Sequence, residues 1–181
     1  MRLILLGLCA FMASLATVSA DQSDPRLDDL FAELRSGDAL SAEETTDRIL
    51  EIWADSQSDT VDILYMRALE RADAGEPELA VALLDHVVGL SPHFAQGYAL
   101  RGVVRLSLED QAGAIADFSK ALELEPRQFE VRIALAEILL ANSQKRDAYD
   151  MLQKALEWNP HDAHALLRAK ALREDFAGQE I

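Results

Sequence analysis

Pro92, Pro126 and Pro160 are separated by two equal steps of 34 residues. The same step joins Ala68 to Gly102 and Ala136, Ala80 to Ala114 and Ala148, Leu84 to Phe118 and Leu152, and Val87 to Ala121 and Ala155. Five columns in one register mark an internal repeat, and a period of this size belongs to stacked supersecondary units. Within a unit the apolar residues fall at helical spacing, as at Ala114, Ile115, Phe118, Ala121 and Leu122. The small residues Ala68, Gly102 and Ala136 let the first helix of a pair approach the second, and Ala80, Ala114 and Ala148 do the same from the other side. Large residues at 84, 118 and 152 fill the space between successive pairs. Proline has no N–H and cannot continue the helix before it, so each unit ends there. Residues 75–77, 108–110 and 142–144 read as the turns inside the pairs. A lone pair cannot bury its apolar face, so neighbours must stack. The fold class is all-α, an α-solenoid of antiparallel helix pairs.

The central unit shows the pattern best: Ala95-Gln96-Gly97-Tyr98-Ala99-Leu100-Arg101-Gly102, then Ala112 to Phe118, then Lys120-Ala121-Leu122-Glu123-Leu124-Glu125-Pro126. It resembles the tetratricopeptide repeat family, and the resemblance extends over units 61–94, 95–128 and 129–162. There are departures. Arg132 stands where the family prefers a large aromatic, Arg71 and Arg105 where it prefers Tyr, and Arg67 and Arg101 where it prefers Leu. The resemblance implies a superhelix that binds other proteins. Some members hold a partner's terminal carboxylate with inward Lys and Asn residues. Here that region offers Tyr65, Leu69, Leu100, Glu130 and Ala134, so no such clamp is expected.

The ends follow the same logic. Stepping back by 34 residues reaches Leu34, Thr46, Leu50 and Trp53. Residues 21–60 therefore read as a degenerate first pair, with helices over 26–36 and 41–55 and Ser41 as a cap followed by Glu44. Residues 163–181 read as a C-terminal capping helix and tail, because a terminal unit must turn one face to water. Trp53 and Trp158 fit packing positions on second helices. Residues 1–20 have one charge, Arg2, then an apolar run and a Val18-Ser19-Ala20 end, the pattern of a secretory signal peptide cut after Ala20. Cys9, the single cysteine, leaves with that leader, which suits an oxidising compartment. Export is expected, to the periplasm or beyond, without stable membrane insertion after cleavage. The chain is similar in this to small exported bacterial tetratricopeptide-repeat proteins.

With 17 Lys and Arg against 32 Asp and Glu, the net charge of −15 argues against nucleic-acid binding, which depends on neutralising phosphates. No nucleophile-and-base arrangement, phosphate loop or catalytic acid pair stands out, so no enzyme and no cofactor is expected. His161 and His164 lie three apart but have little beside them except Asp162, too little for a metal site. Arg101 and Asp117 are placed to form an ion pair within their repeat. The functional surface is expected on the first helices of the pairs, which line the inner wall of such a stack. Its apolar stripe is Phe31, Tyr65, Leu69, Val103, Leu106, Ile133, Leu140 and Leu167. An acidic border of Asp28, Asp62 and Glu130 runs beside it, with Gln96 and His164 in the same column. The matching partner is a protein or peptide segment with apolar anchors, with a place for basic residues at the border. The rival reading is a structural accessory subunit of an envelope complex, assembling through its terminal helices.

Overall fold

A computed structural model describes residues 24–179; the leader read at 1–20 lies outside the described residues. Nine helices and no strand occur among the described residues: α1 Arg26–Ser36, α2 Ala39–Ala54, α3 Asp59–Asp73, α4 Pro77–Leu90, α5 Ala95–Ser107, α6 Gln111–Leu124, α7 Phe129–Ala141, α8 Lys145–Leu156 and α9 Ala163–Gln179. Helices α3 to α8 form three antiparallel pairs, and α9 packs on α8 at the end of the stack.

The three turns inside the pairs share one backbone solution. Gly75, Glu109 and Ser143, one period apart, have φ of 74°, 61° and 61°. After each, an N–H reaches back five residues: Glu76 to the Arg71 carbonyl at 2.9 Å, Asp110 to Arg105 at 3.0 Å and Gln144 to Leu139 at 2.8 Å. This left-handed cap pairs the carbonyls that a helix end leaves open and reverses the chain within a few residues. Glycine holds the position without steric cost only in the first turn. The next helix then starts at once, with Pro77 in the first turn of α4 and the Asp110 carboxylate accepting from the Gly113 N–H at 2.9 Å in α6.

The small-residue columns lie in the core. Ala68, Ala80, Ala114, Ala136 and Ala148 are buried, as are Leu84, Phe118 and Leu152. Gly102 faces Phe118 so closely that a Cβ there would lie 2.5 Å from the ring's Cε1. Pro92 and Pro126 are exposed in the turns after α4 and α6, and Pro160 is half-buried in the turn after α8. Helix α8 ends at Leu156, so Trp158 belongs to that turn and not to a second helix.

The N-terminal pair departs from the repeat register. Helices α1 and α2 pack on each other, but their core is completed by Phe129 and Ala155, with Ile133 and Trp158 against it. Phe31 sits 5.8 Å from the Trp53 ring and 5.5 Å from the Trp158 ring, and Trp53 sits 5.9 Å from Phe129, centroid to centroid. Arg127 stacks over Phe31 and pairs with Asp28 at 2.9 Å, and Asn159 donates to the Thr46 hydroxyl at 3.4 Å. The hairpin thus lies along the turns between units, touching those after α6 and α8, and is not simply the first brick of the stack. The segment 55–58 makes this possible: Asp55 and Ser58 are extended, and Gln57 takes φ of 63°. The cap of α2 is Asp38, which accepts from the N–H groups of Leu40 and Ser41; Ser41 is already inside the helix.

Candidate functional site

Helices α3, α5 and α7 present equivalent faces one repeat apart, and a cavity of about 180 Å³ opens between them. Its walls are stacked columns: Tyr65 beside Ala99, Leu69 beside Val103, Leu100 beside Ala134 and Gln96 beside Glu130. Phe118 of α6 and Val131 of α7 complete the apolar lining, and Gln128, in the turn before α7, adds a second amide. Positions 96, 99, 100 and 103 share one face of α5 because three or four residues make a helical turn.

One end of the cavity is polar. The Gln128 Nε2 donates to Gln96 Oε1 at 2.9 Å, and Gln96 is in turn hydrogen-bonded to the Tyr65 hydroxyl. Burial pushes that hydroxyl up to about 12 although the Gln96 bond pulls it down. Glu130 reaches the solvent of the groove, yet the protein around it, with Asp162 as a like charge, pushes its carboxyl above the ordinary range. Water withdrawn from a carboxylate is not replaced there by a cation.

The expected groove residues divide. Tyr65, Leu69 and Val103 line the cavity, and Val103 is 52% exposed. Phe31 does not belong to the groove: it is buried in the N-terminal hairpin, because that hairpin leaves the register that placed Phe31 in line with Tyr65. Leu106 is half-buried against the cluster joining α5, α6 and α7. Ile133 and Leu140 are half-buried against the α7–α9 cluster, Ile133 also touching the hairpin. Leu167, 67% exposed on α9, stands outside the cavity. The residues where a carboxylate clamp would lie, Tyr65, Leu69, Leu100, Glu130 and Ala134, all line it. Gln128 and Phe118 were not foreseen in it. The signal for Gln128 was its position one period after Phe94, where an aromatic gives way to an amide.

Two of the arginines that depart from the family pattern, Arg101 and Arg105, share a buried partner. Arg101 grips Asp117 with two hydrogen bonds, 2.6 and 2.9 Å, and Arg105 adds a third at 2.8 Å. Asp117 is 3% exposed, and Arg101 also reaches Asp85 at 2.8 Å. This network ties α4, α5 and α6 together and lies away from the cavity lining. His164 Nε2 meets Glu137 Oε1 at 2.9 Å, an oxygen that Arg168 also contacts. Among the described residues no group of three or more His, Cys, Asp or Glu gathers to hold a metal ion, and no helix is long and apolar enough to cross a membrane.

Comparison with known proteins places this geometry. Residues 105–172 match the family model for the tetratricopeptide repeat. A TPR repeat-containing protein of Rhizobium etli is 27% identical over 154 residues, covering 84% of this chain and 76% of the relative. The Yersinia enterocolitica type III secretion chaperone SycD, in complex with a peptide of the translocator YopD, superposes with a TM-score of 0.61 at 19% identity, over 65% of this chain and 95% of that one. The first TPR of Spaghetti (RPAP3), bound to an HSP90 peptide, superposes with a TM-score of 0.60 at 15% identity, again over 65% and 95%.

Proposed function

Because the chain is a tetratricopeptide-repeat protein, we propose that it is a protein-interaction module whose inner groove holds a segment of a partner polypeptide. Two structures of like fold, SycD and the RPAP3 domain, carry bound peptides, which supports that reading. The observation that carries it is the cavity of α3, α5 and α7, apolar at Leu69, Val103 and Val131 and open to solvent between stacked helices. The mechanism is pre-organisation. A packed wall pays little ordering entropy, so the segment supplies most of it. The module works without chemistry of its own.

Val103→Asp tests the site without touching the core, because half of that side chain is already in water. Partners recovered from an envelope extract by the wild type should be lost or much reduced with the variant, at an unchanged thermal midpoint. Equal recovery by both would remove the groove from the account.

The proposed setting is the periplasm, after cleavage behind Ala20. Mass spectrometry of the protein from its native envelope should find Asp21 as the first residue, and an intact N-terminus at Met1 would contradict export by this route. A second reading has one observation in its favour. Leu166 and Leu167 stand out of the last helix at 46% and 67% exposure, as they would if the end of the stack met another subunit. Changing both to Lys should then reduce the mass measured by light scattering on the native complex. An unchanged mass would count against assembly through this end.

A further inference from the structure

The polar end of the α3–α5–α7 cavity is one-sided in its chemistry. Gln128 occupies the register position that Phe94 fills with a core ring in the preceding unit. It is only 1% exposed. Its Nε2 is engaged by Gln96, and its Oε1 accepts from nothing in the protein. A buried carbonyl oxygen without a donor is costly, and in native proteins such a group calls for a reason. Glu130 stands two residues on, with a like charge, Asp162, as its electrostatic neighbour. No Lys or Arg lines the cavity. The site therefore presents an unpaired acceptor and a carboxylate, and it lacks a cation.

We propose that this cavity is a subsite for one lysine side chain of the bound segment, an inference that rests on the groove being a protein-docking surface. The four-carbon stem lies along Leu69, Ala99, Val103 and Val131, and the ammonium donates to Glu130 and Gln128 Oε1. An ammonium suits acceptors from two separate side chains, because its three donors rotate freely, whereas a guanidinium favours one planar, bidentate partner. A carboxylate is disfavoured: Glu130 repels it, and no Lys or Arg lines the cavity to pair with it. The apolar walls hold the stem and the acceptors select the head, the usual division in a small pocket.

The probe is hexylamine, with hexan-1-ol and hexanoate as controls, titrated into the full chain with labelled methyl groups. Hexylamine should shift the methyls of Leu69, Ala99, Val103 and Val131 and bind at least about tenfold more tightly than hexan-1-ol, the size of one charge-assisted hydrogen bond. Hexanoate should leave them in place. Glu130→Gln and Gln128→Met should each remove most of the amine's advantage while hexan-1-ol still binds, which also shows that the variants are folded. Amine and alcohol binding equally, or amine shifts elsewhere in the protein, would overturn the lysine subsite. A random twelve-residue peptide library selected on the full chain separates the two levels. Peptides that move the cavity methyls and are enriched in lysine support both. Peptides that move them without lysine enrichment overturn the subsite alone, and peptides that bind without moving them overturn the groove reading itself.

Discussion

At the scale of single residues, the repeat places the same demand on different side chains, and the mismatches are where stability can be gained or lost. Gly75, Glu109 and Ser143 all hold left-handed backbone. An L-residue pays roughly 1–2 kcal/mol for that conformation, and glycine avoids it. Glu109→Gly should therefore stabilise the fold by up to about 1 kcal/mol, since glycine's greater chain entropy offsets part of the relief. Gly75→Ala should destabilise it by about 1 kcal/mol. Denaturant midpoints of the two variants check the pair, and opposite signs are required. Gly102→Leu should cost about 1–3 kcal/mol or more, because Phe118 already fills the space a side chain would need. Asp117→Ala should cost about 2–5 kcal/mol by leaving Arg101 and Arg105 without their shared carboxylate. Half of that network was legible: Arg101 and Asp117 lie at compatible positions of adjacent helices. Arg105 reads in the sequence only as a departure from the family's Tyr, because the pattern does not show that it shares Asp117 with Arg101, one turn away on α5. Glu130 carries a pH signature. Its carboxyl is raised above the ordinary value of 4.5, so its protonated form favours the fold and that contribution is lost as pH rises through the raised value. Glu130→Gln should raise the melting temperature at pH 7 and leave it unchanged at about pH 3.5, below the ordinary glutamate range. A difference of equal size at both pH values would show that the shift plays no part.

At the scale of elements, periodicity decided most of the architecture and failed where the chain leaves the period. The pairs α3–α4, α5–α6 and α7–α8 follow from repeated columns, because stacked units reuse one packing solution. Helices α1 and α2 were also legible as helices, nearly to their ends. Their docking was not. Stepping back by 34 residues put Leu34 and Trp53 in register, but register describes a sequence and becomes packing only if the connecting segment keeps the stack. Here Gln57 and the extended residues around it redirect the chain, and Phe31 and Trp53 pack on Phe129 and Trp158 instead. Phe31 and Trp53 sit in register with Tyr65 and Val87, so their positions in the sequence do not reveal this packing. Phe31→Ala should destabilise the hairpin by about 3–5 kcal/mol, the usual cost of removing a buried ring. Hydrogen exchange should then speed up across 26–54 while 61–156 stays protected. Uniform loss of protection would mean that the hairpin and the repeats unfold as one unit.

At the scale of the whole molecule, three stacked pairs and a terminal helix build a wall, and the hairpin braces the edge formed by the turns between units. The binding stripe expected from sequence was longer than the surface available. Periodicity names every residue that could face inward, but the packing of neighbouring helices decides which of them water reaches. Tyr65, Leu69 and Val103 remain at the cavity, while Phe31 is taken up by the hairpin and Ile133 by its neighbours. The central claim is that partners dock between α3, α5 and α7. Its most direct test is a photo-crosslinking amino acid placed at Val103, or at Ile115 on the partly exposed face of α6 as control, in the cell that makes the protein. Crosslinks to a discrete partner from position 103 and not from position 115 are expected. Crosslinks of equal yield at both positions, or at 115 alone, would contradict it.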